Sequence, residues 1–226
     1  MPDKAAAALS LHLGAVILAG GRSRRMGEWK PALAWLDGKK LLEAHISAFS
    51  PRAGAGIVCA LPEERRAEAA EKLRLGIALP EWIADPDAPP FATLAQALRA
   101  LIAQAVSGLE GAWATPVDAP PASPATLDAM ARAAASNPDL WAARPSTLDA
   151  AGNRRAGHPV LLRRAAVDAL LKMDPASARL DKFLSELSEQ RSCFVEVHDP
   201  LIVADLNEPA EYKTALQAAL SLRNGD

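Results

Sequence analysis

The chain is short of cysteine, of aromatic residues and of net charge, and each shortage narrows what it can be. Cys59 and Cys193 are the two cysteines, each in an apolar run without another cysteine nearby. Neither a disulfide framework nor a thiolate zinc cluster is expected, and the two read as buried thiols in a reducing compartment. Aromatic residues make up 4% of the chain, within a hydrophobic half rich in alanine. Such a composition favours helices packed close to a sheet. A formal net charge of −2 offers no surface to a nucleic-acid backbone or an anionic membrane. No run is long and charge-free enough to span a bilayer. Residues 1–11 lack the basic front and long apolar core of a secretory signal. A cytoplasmic protein with neither nucleic acid nor membrane as partner is expected.

What is present is concentrated near the start. The apolar run Val16-Ile17-Leu18-Ala19 stops at Gly20-Gly21, and Arg22, Arg24, Arg25 and Lys30 follow, with Ser23 and Gly27 among them. An apolar run of this kind reads as a buried parallel strand. Glycines at its carboxyl end let the backbone turn tightly and approach a ligand, with N–H groups pointing at it. The cations add charge, so the stretch reads as a cradle for a triphosphate. A dinucleotide fold would need a further glycine where these cations stand, which argues against a dehydrogenase.

Beyond this loop, strands and helices alternate. Strands are expected over Leu13 to Ala19, Gly56 to Leu61, Ile77 to Ala84, Ala112 to Thr115, Leu140 to Ala143, Pro159 to Leu162, Cys193 to Val197 and Leu201 to Ala204, and a short extended piece over Ala32 to Leu36. Helices are expected over Lys39 to Phe49, Pro62 to Leu75, Phe91 to Val106, Ser123 to Ser136, Arg163 to Met173, Ala178 to Ser188 and Asn207 to Leu222. Ser123 has the character of an N-cap, with Pro124 at the first helical position. This alternation implies an α/β fold, a Rossmann-like three-layer sandwich with a mainly parallel sheet and helices on both faces. The polar stretch Ser146 to Gly157 reads as an excursion of that sheet. Residues 1–12 are expected as an arm and 13–222 as one domain.

In such sheets ligands bind at the carboxyl ends of the strands. Gly20 to Lys30, Asp118 after Pro116-Val117, and Asp205 after Leu201 to Ala204 should therefore share one rim. Ser123 and Thr126 are better placed than Asp118 to cap the next helix, and Asn207 could cap the last, leaving Asp205 free. Two carboxylates beside a cationic phosphate cradle suggest Mg²⁺, which takes oxygen ligands and keeps phosphate oxygens and waters in its shell. Metal and cations together would stabilise attack at an NTP α-phosphorus and the departing pyrophosphate. No Ser/His/Asp or Cys/His set stands out, and none is needed if the acceptor brings its own phosphate.

Leu18-Ala19-Gly20-Gly21-Arg22-Ser23-Arg24-Arg25-Met26-Gly27 with Lys30 resembles the signature loop of MobA-like NTP transferases, the molybdenum-cofactor guanylyl- and cytidylyltransferases within the nucleotide-diphospho-sugar transferase fold. Pro116-Val117-Asp118-Ala119-Pro120 resembles that family's metal-binding segment, and Asp205 to Tyr212 its closing segment. Gly157-His158-Pro159-Val160 resembles a motif of its cytidylylating branch. The resemblance implies a single nucleotidyltransferase domain that moves an NMP from CTP or GTP to a phosphorylated acceptor such as molybdopterin, and a molybdoenzyme or other cofactor-pathway protein as partner. By position, Arg25, Lys30 and Asp118 would be catalytic. Leu18, Ala19, Gly20, Gly21, Arg22, Ser23, Arg25 and Lys30 would bind nucleotide. Asp118 and Asp205 would hold Mg²⁺, and Gly157, His158 and Pro159 would face the acceptor.

Three departures from the family pattern stand out: Trp29 before the lysine, Glu208 in the closing segment, and the prolines of Asp85 to Ala92. They motivate a competing reading, a catalytically weak nucleotide-binding chaperone or regulator of the same fold. Another is transfer to a sugar phosphate or other small phosphate. On the base, Gly20 resembles the guanylyl branch, whereas Gly157-His158-Pro159 and Asp174 to Arg179 resemble the cytidylyl branch, and the balance leans slightly to CTP. Arg154, Arg155, Arg163 and Arg164 surround the Gly-His-Pro motif, either as a solvated face or as a site for the acceptor's phosphate.

Overall fold

The computed structural model describes residues 11–224. The expected arm therefore lies outside the described residues except for Leu11 and His12. The parallel half of the sheet comes first in sequence. It comprises β1 (Leu13–Leu18), β2 (Ile57–Pro62), β3 (Leu79–Ile83) and β4 (Gly111–Pro116), ordered β3-β2-β1-β4. These neighbours all pair parallel, and Ile17 stands between Cys59 and Thr115. Pro80, inside β3, has no N–H to give a ladder, and β3 lies at the sheet edge, where that is tolerated.

The second half of the sheet is mixed, and the polar stretch Ser146 to Gly157 lies within it. β5 (Ala142–Leu148) runs on past Ala143 and forms a hairpin with β6 (Arg154–Ala156). β7 (Val160–Arg163) lies antiparallel between β4 and β5, and β8 (Ser192–Glu196) pairs parallel with the other edge of β5.

The connecting helices are α1 (Leu41–Phe49), α2 (Arg66–Lys72), α3 (Pro90–Gln104), α4 (Pro124–Ser136), α5 (Arg164–Leu170), α6 (Leu180–Glu186) and α7 (Pro209–Asn224). They form two layers because strand side chains alternate between faces. Leu13, Ala15 and Ile17 join a core with α1, α2, α4 and α7, while Val16 joins one with α3, α5 and α6. Leu41, Leu42, His45, Ile46 and Phe49 form one face of α1 and are buried. Gly14 lets α3 press on β1, since a Cβ there would stand 2.7 Å from Leu101.

Three expectations need correction. Pro62 ends β2 instead of opening a helix, and a 3-10 turn over Glu63–Arg65 precedes α2, which stops at Lys72. Residues 32–36 hold only a single bridge, Ala34 to Lys40, beside a 3-10 turn at Lys30–Ala32. Leu201 to Ala204 are not a strand: Pro200–Val203 form a 3-10 turn. Pro200 suits a first helical position, and the Asp199 carboxylate accepts the Leu201 N–H at 3.2 Å. That cap closes the turn.

Candidate active site

The chain leaves β1 toward β2 on one side and returns through α3 to β4 on the other. The carboxyl ends of β1 and β4 thus open a crevice where the strand order reverses. The Val117 N–H donates to the Leu18 carbonyl at 2.9 Å, so the loops after these strands start side by side. The Leu206 N–H donates to the Asp118 carbonyl at 2.7 Å and brings in the segment before α7. Gly20 to Lys30, Asp118 and Asp205 therefore share a rim, as the sequence implied, although a 3-10 turn and not a strand delivers Asp205.

Lys30 is the junction. Its Nζ donates to Asp118 Oδ2 at 3.0 Å and to Asn207 Oδ1 at 3.0 Å. The loop that carries it folds on itself. Ser23 adopts a left-handed conformation (φ 54°), its Oγ accepts the Lys30 N–H at 3.1 Å, and its carbonyl accepts the Met26 N–H at 3.2 Å. Met26 and Trp29 are buried and root the loop in the core. Trp29, the departure from the family pattern, is a packing residue.

The other loop cations differ in state. Arg22 pairs with Asp87 of the proline-rich connection at 3.1 Å and lies 3.8 Å from Glu64; Arg24 is 3.8 Å from Asp87. Arg25 is exposed. A Cβ on Gly20 would make only ordinary contact with Thr93 and Ile83, and one on Gly21 would meet nothing within 4 Å.

Asp118 is free of capping duty. Ser123 Oγ accepts the Thr126 N–H at 3.2 Å and caps α4, while buried Asp199 accepts from the Ser123 N–H and the Thr126 hydroxyl, both at 2.9 Å. Asn207 does not cap α7 with its side chain. Glu211 instead accepts the Asn207 and Glu208 N–H groups at 2.9 and 3.0 Å. From α1, buried His45 bonds through Nε2 to the Ala119 carbonyl at 2.9 Å. Burial lowers its pKa to about 4, so it is neutral and Nε2–H is the donor.

Gly157 and His158 reach the rim through the 3-10 turn. The His158 N–H donates to the Ile202 carbonyl at 2.9 Å. A Cβ on Gly157 would stand 1.9 Å from that same oxygen, so only glycine fits. Burial lowers the His158 pKa, while the charges of Asp118 and Asp205 act to raise it. Both carboxylates therefore bear on one imidazole, whose Nδ1 is buried without a hydrogen-bond partner among the described residues. Among those residues no three His, Cys, Asp or Glu side chains converge on a metal position. Asp118 and Asp205 supply oxygen donors only, which suits a hard divalent cation completing its shell from phosphate and water.

Beside the rim lies a cavity of about 770 Å³, walled by Leu18, Phe91, Leu94, Val160 and Leu184 and reached by His158. Arg144 of β5 also lines it. Sequence reading passed over Arg144, although a lone cation in the run Leu140 to Pro145 was a usable signal. It also read the Asn207 side chain as a cap, and not as a partner of Lys30. The arginines it named around Gly157 are otherwise engaged or outward: Arg163 donates to the Ala134 carbonyl at 2.6 Å, Arg164 pairs with Asp168 at 2.8 Å, and Arg154 and Arg155 are exposed.

Comparison with known proteins places the chain in a family. The family model of the MobA-like NTP transferase domain matches residues 15–191. A molybdenum cofactor guanylyltransferase from Acidiphilium cryptum (strain JF-5) is 32% identical over 210 residues, spanning 90% of this chain and 94% of that protein. Among solved structures, the homologue of Mycobacterium tuberculosis Rv0371c from Mycobacterium sp. strain JC1 aligns with a TM-score of 0.72 at 20% identity, covering 93% of this chain and 98% of that one. Molybdopterin-guanine dinucleotide biosynthesis protein A from Archaeoglobus fulgidus aligns with a TM-score of 0.62 at 20% identity, covering 92% and 99%. The chain belongs to the MobA-like NTP transferase family and is a nucleotidyltransferase.

Proposed function

We propose that the protein transfers an NMP from an NTP to the terminal phosphate of a molybdopterin-type acceptor and releases pyrophosphate. The observation that carries the reading is Lys30, held between Asp118 and Asn207 at the root of a glycine-rich, cationic loop. An acceptor phosphate oxygen attacks the α-phosphorus, a P–O bond forms, and the bond to the bridging oxygen of the β-phosphate breaks. Charge grows on the departing pyrophosphate, and Lys30 with the exposed Arg25 would stabilise it. The backbone of Gly20 and Gly21 lets the phosphates approach without a side chain in the way. A Mg²⁺ ion bound by Asp118 and Asp205 would neutralise phosphate charge and align the two substrates. His158, held to the Ile202 carbonyl through its N–H, would close the acceptor side together with Gly157 and Pro159.

On the base, Gly20 and the name of the 32%-identical relative favour GTP, while Gly157-His158-Pro159 favours CTP. GTP is the first nucleotide to test. The two cysteines are free thiols that lie apart, Cys59 buried and Cys193 half-buried, which supports a cytoplasmic setting. No helix among the described residues is long and apolar enough to cross a membrane. The test is pyrophosphate release with Mg²⁺ and molybdopterin across the four NTPs. One NTP should support turnover. Folded protein that turns over none contradicts the reading, and turnover with a sugar phosphate but not molybdopterin would move the acceptor.

A further inference from the structure

Arg144 sits on the cavity wall in an unusual electrostatic state. Its Nε is buried and has no hydrogen-bond partner among the described residues. No carboxylate among those residues pairs with it, whereas the other charges lining the cavity, Arg179 and Asp181, pair with each other at 2.7 Å. His158, the remaining titratable group on the wall, is held toward its neutral form by burial. A guanidinium taken partly out of water without a counter-charge is costly, and the cost falls when an anion enters.

The guanidinium packs against an aromatic ring. The guanidinium carbon lies 4.5 Å from the centre of the Phe194 ring, which Arg154 approaches at 5.2 Å. Phe194 stands opposite Arg144 in the β5–β8 register. Cation–π contact holds the planar group but leaves its N–H edge free to hydrogen-bond, as recognition of a planar anion requires. Lys30 and Asp118, where the proposed transfer takes place, do not line this cavity. An anion within this cavity can meet Arg144 without meeting Lys30 or Asp118.

We propose that Arg144 recognises a second anionic group of the acceptor, carried on the part of the molecule that fills the apolar cavity while its phosphate lies at Lys30 and Asp118. The cavity thus selects acceptors with an apolar or planar body and a negative charge at a distance from the phosphate. The proposal rests on the function proposed above, so its test is chosen to fail separately.

The experiment follows the Arg144 Nε–Hε signal of the isotope-labelled full-length protein by NMR, assigned by its loss in Arg144→Lys. Titration with molybdopterin should move this signal, and titration with the NTP alone should not. In turnover, Arg144→Lys should raise the acceptor KM at least tenfold and change the NTP KM less than twofold. Phe194→Leu should give a smaller rise of the same kind. A signal that ignores the acceptor, or responds to the NTP instead, overturns the proposal even if the enzyme turns over. A signal that responds to the acceptor in a protein that releases no pyrophosphate supports the acceptor site and contradicts the transfer reaction.

Discussion

His45 donates from Nε2 to the carbonyl of Ala119 at 2.9 Å, tying α1 to the residue beside Asp118. Burial disfavours the charged imidazole more than this bond favours it, so the folded state carries a pH dependence. The folded pKa is about 4 against an ordinary 6.5, hence the unfolded chain binds the extra proton between those values. Stability from this group is complete above pH 6.5 and is lost as pH falls toward 4. At about 1.4 kcal/mol per pKa unit, the loss is on the order of 3 kcal/mol. Urea midpoints of wild type and His45→Gln between pH 7.5 and 4.5 should converge as the pH falls. Parallel curves would refute the assignment.

The loop cations should differ in importance. Lys30 is largely buried and bonded to two rim residues, whereas Arg22 is engaged by Asp87 and Glu64 at the surface. Lys30→Ala should lower kcat/KM by about 10²–10³, the usual effect of removing a donor aimed at developing charge. Arg22→Ala should lower it less than about tenfold, because Arg22 is already engaged by Asp87 and Glu64 and is less available to a phosphate. Steady-state kinetics in NTP would show the order, and a larger loss at Arg22 would reverse this view of the loop.

Gly157→Ala would force a Cβ against the Ile202 carbonyl, 1.9 Å away in the present backbone. Strand or turn must move, at a cost of about 1–3 kcal/mol. His158, whose N–H bonds that same carbonyl, should be displaced with it. Chemical denaturation should show the loss, and acceptor KM should rise more than NTP KM. An alanine variant of wild-type stability would mean the turn yields freely.

Much of this was legible in the sequence because its signals were local. The run before Gly20, the face of α1 and the Ser123-Pro124 cap need only neighbours along the chain. Leu201 to Ala204 misled because an apolar run of four fits a strand or a turn, and the deciding contact is the cap from Asp199. The prolines of residues 85–90 could be read as rigid, but not that Asp87 meets Arg22. Asn207 was hidden for a different reason. Its partner is Lys30, 177 positions away, and contacts between distant segments, the Leu206 N–H to the Asp118 carbonyl among them, bring the two together. Arg144 is marked only as a lone cation in the run Leu140 to Pro145, and the cavity it lines is built from distant segments.

The central claim is that Asp118 and Lys30 form one nucleotidyl-transfer site. Its most direct test is pyrophosphate release from GTP, and in parallel from CTP, with Mg²⁺ and molybdopterin, comparing wild type with Asp118→Asn. The wild type should turn over one of these nucleotides. Asp118→Asn should remain folded, still bind the NTP, and lose at least about 100-fold in kcat. A folded Asp118→Asn protein that releases pyrophosphate at the wild-type rate would contradict the account.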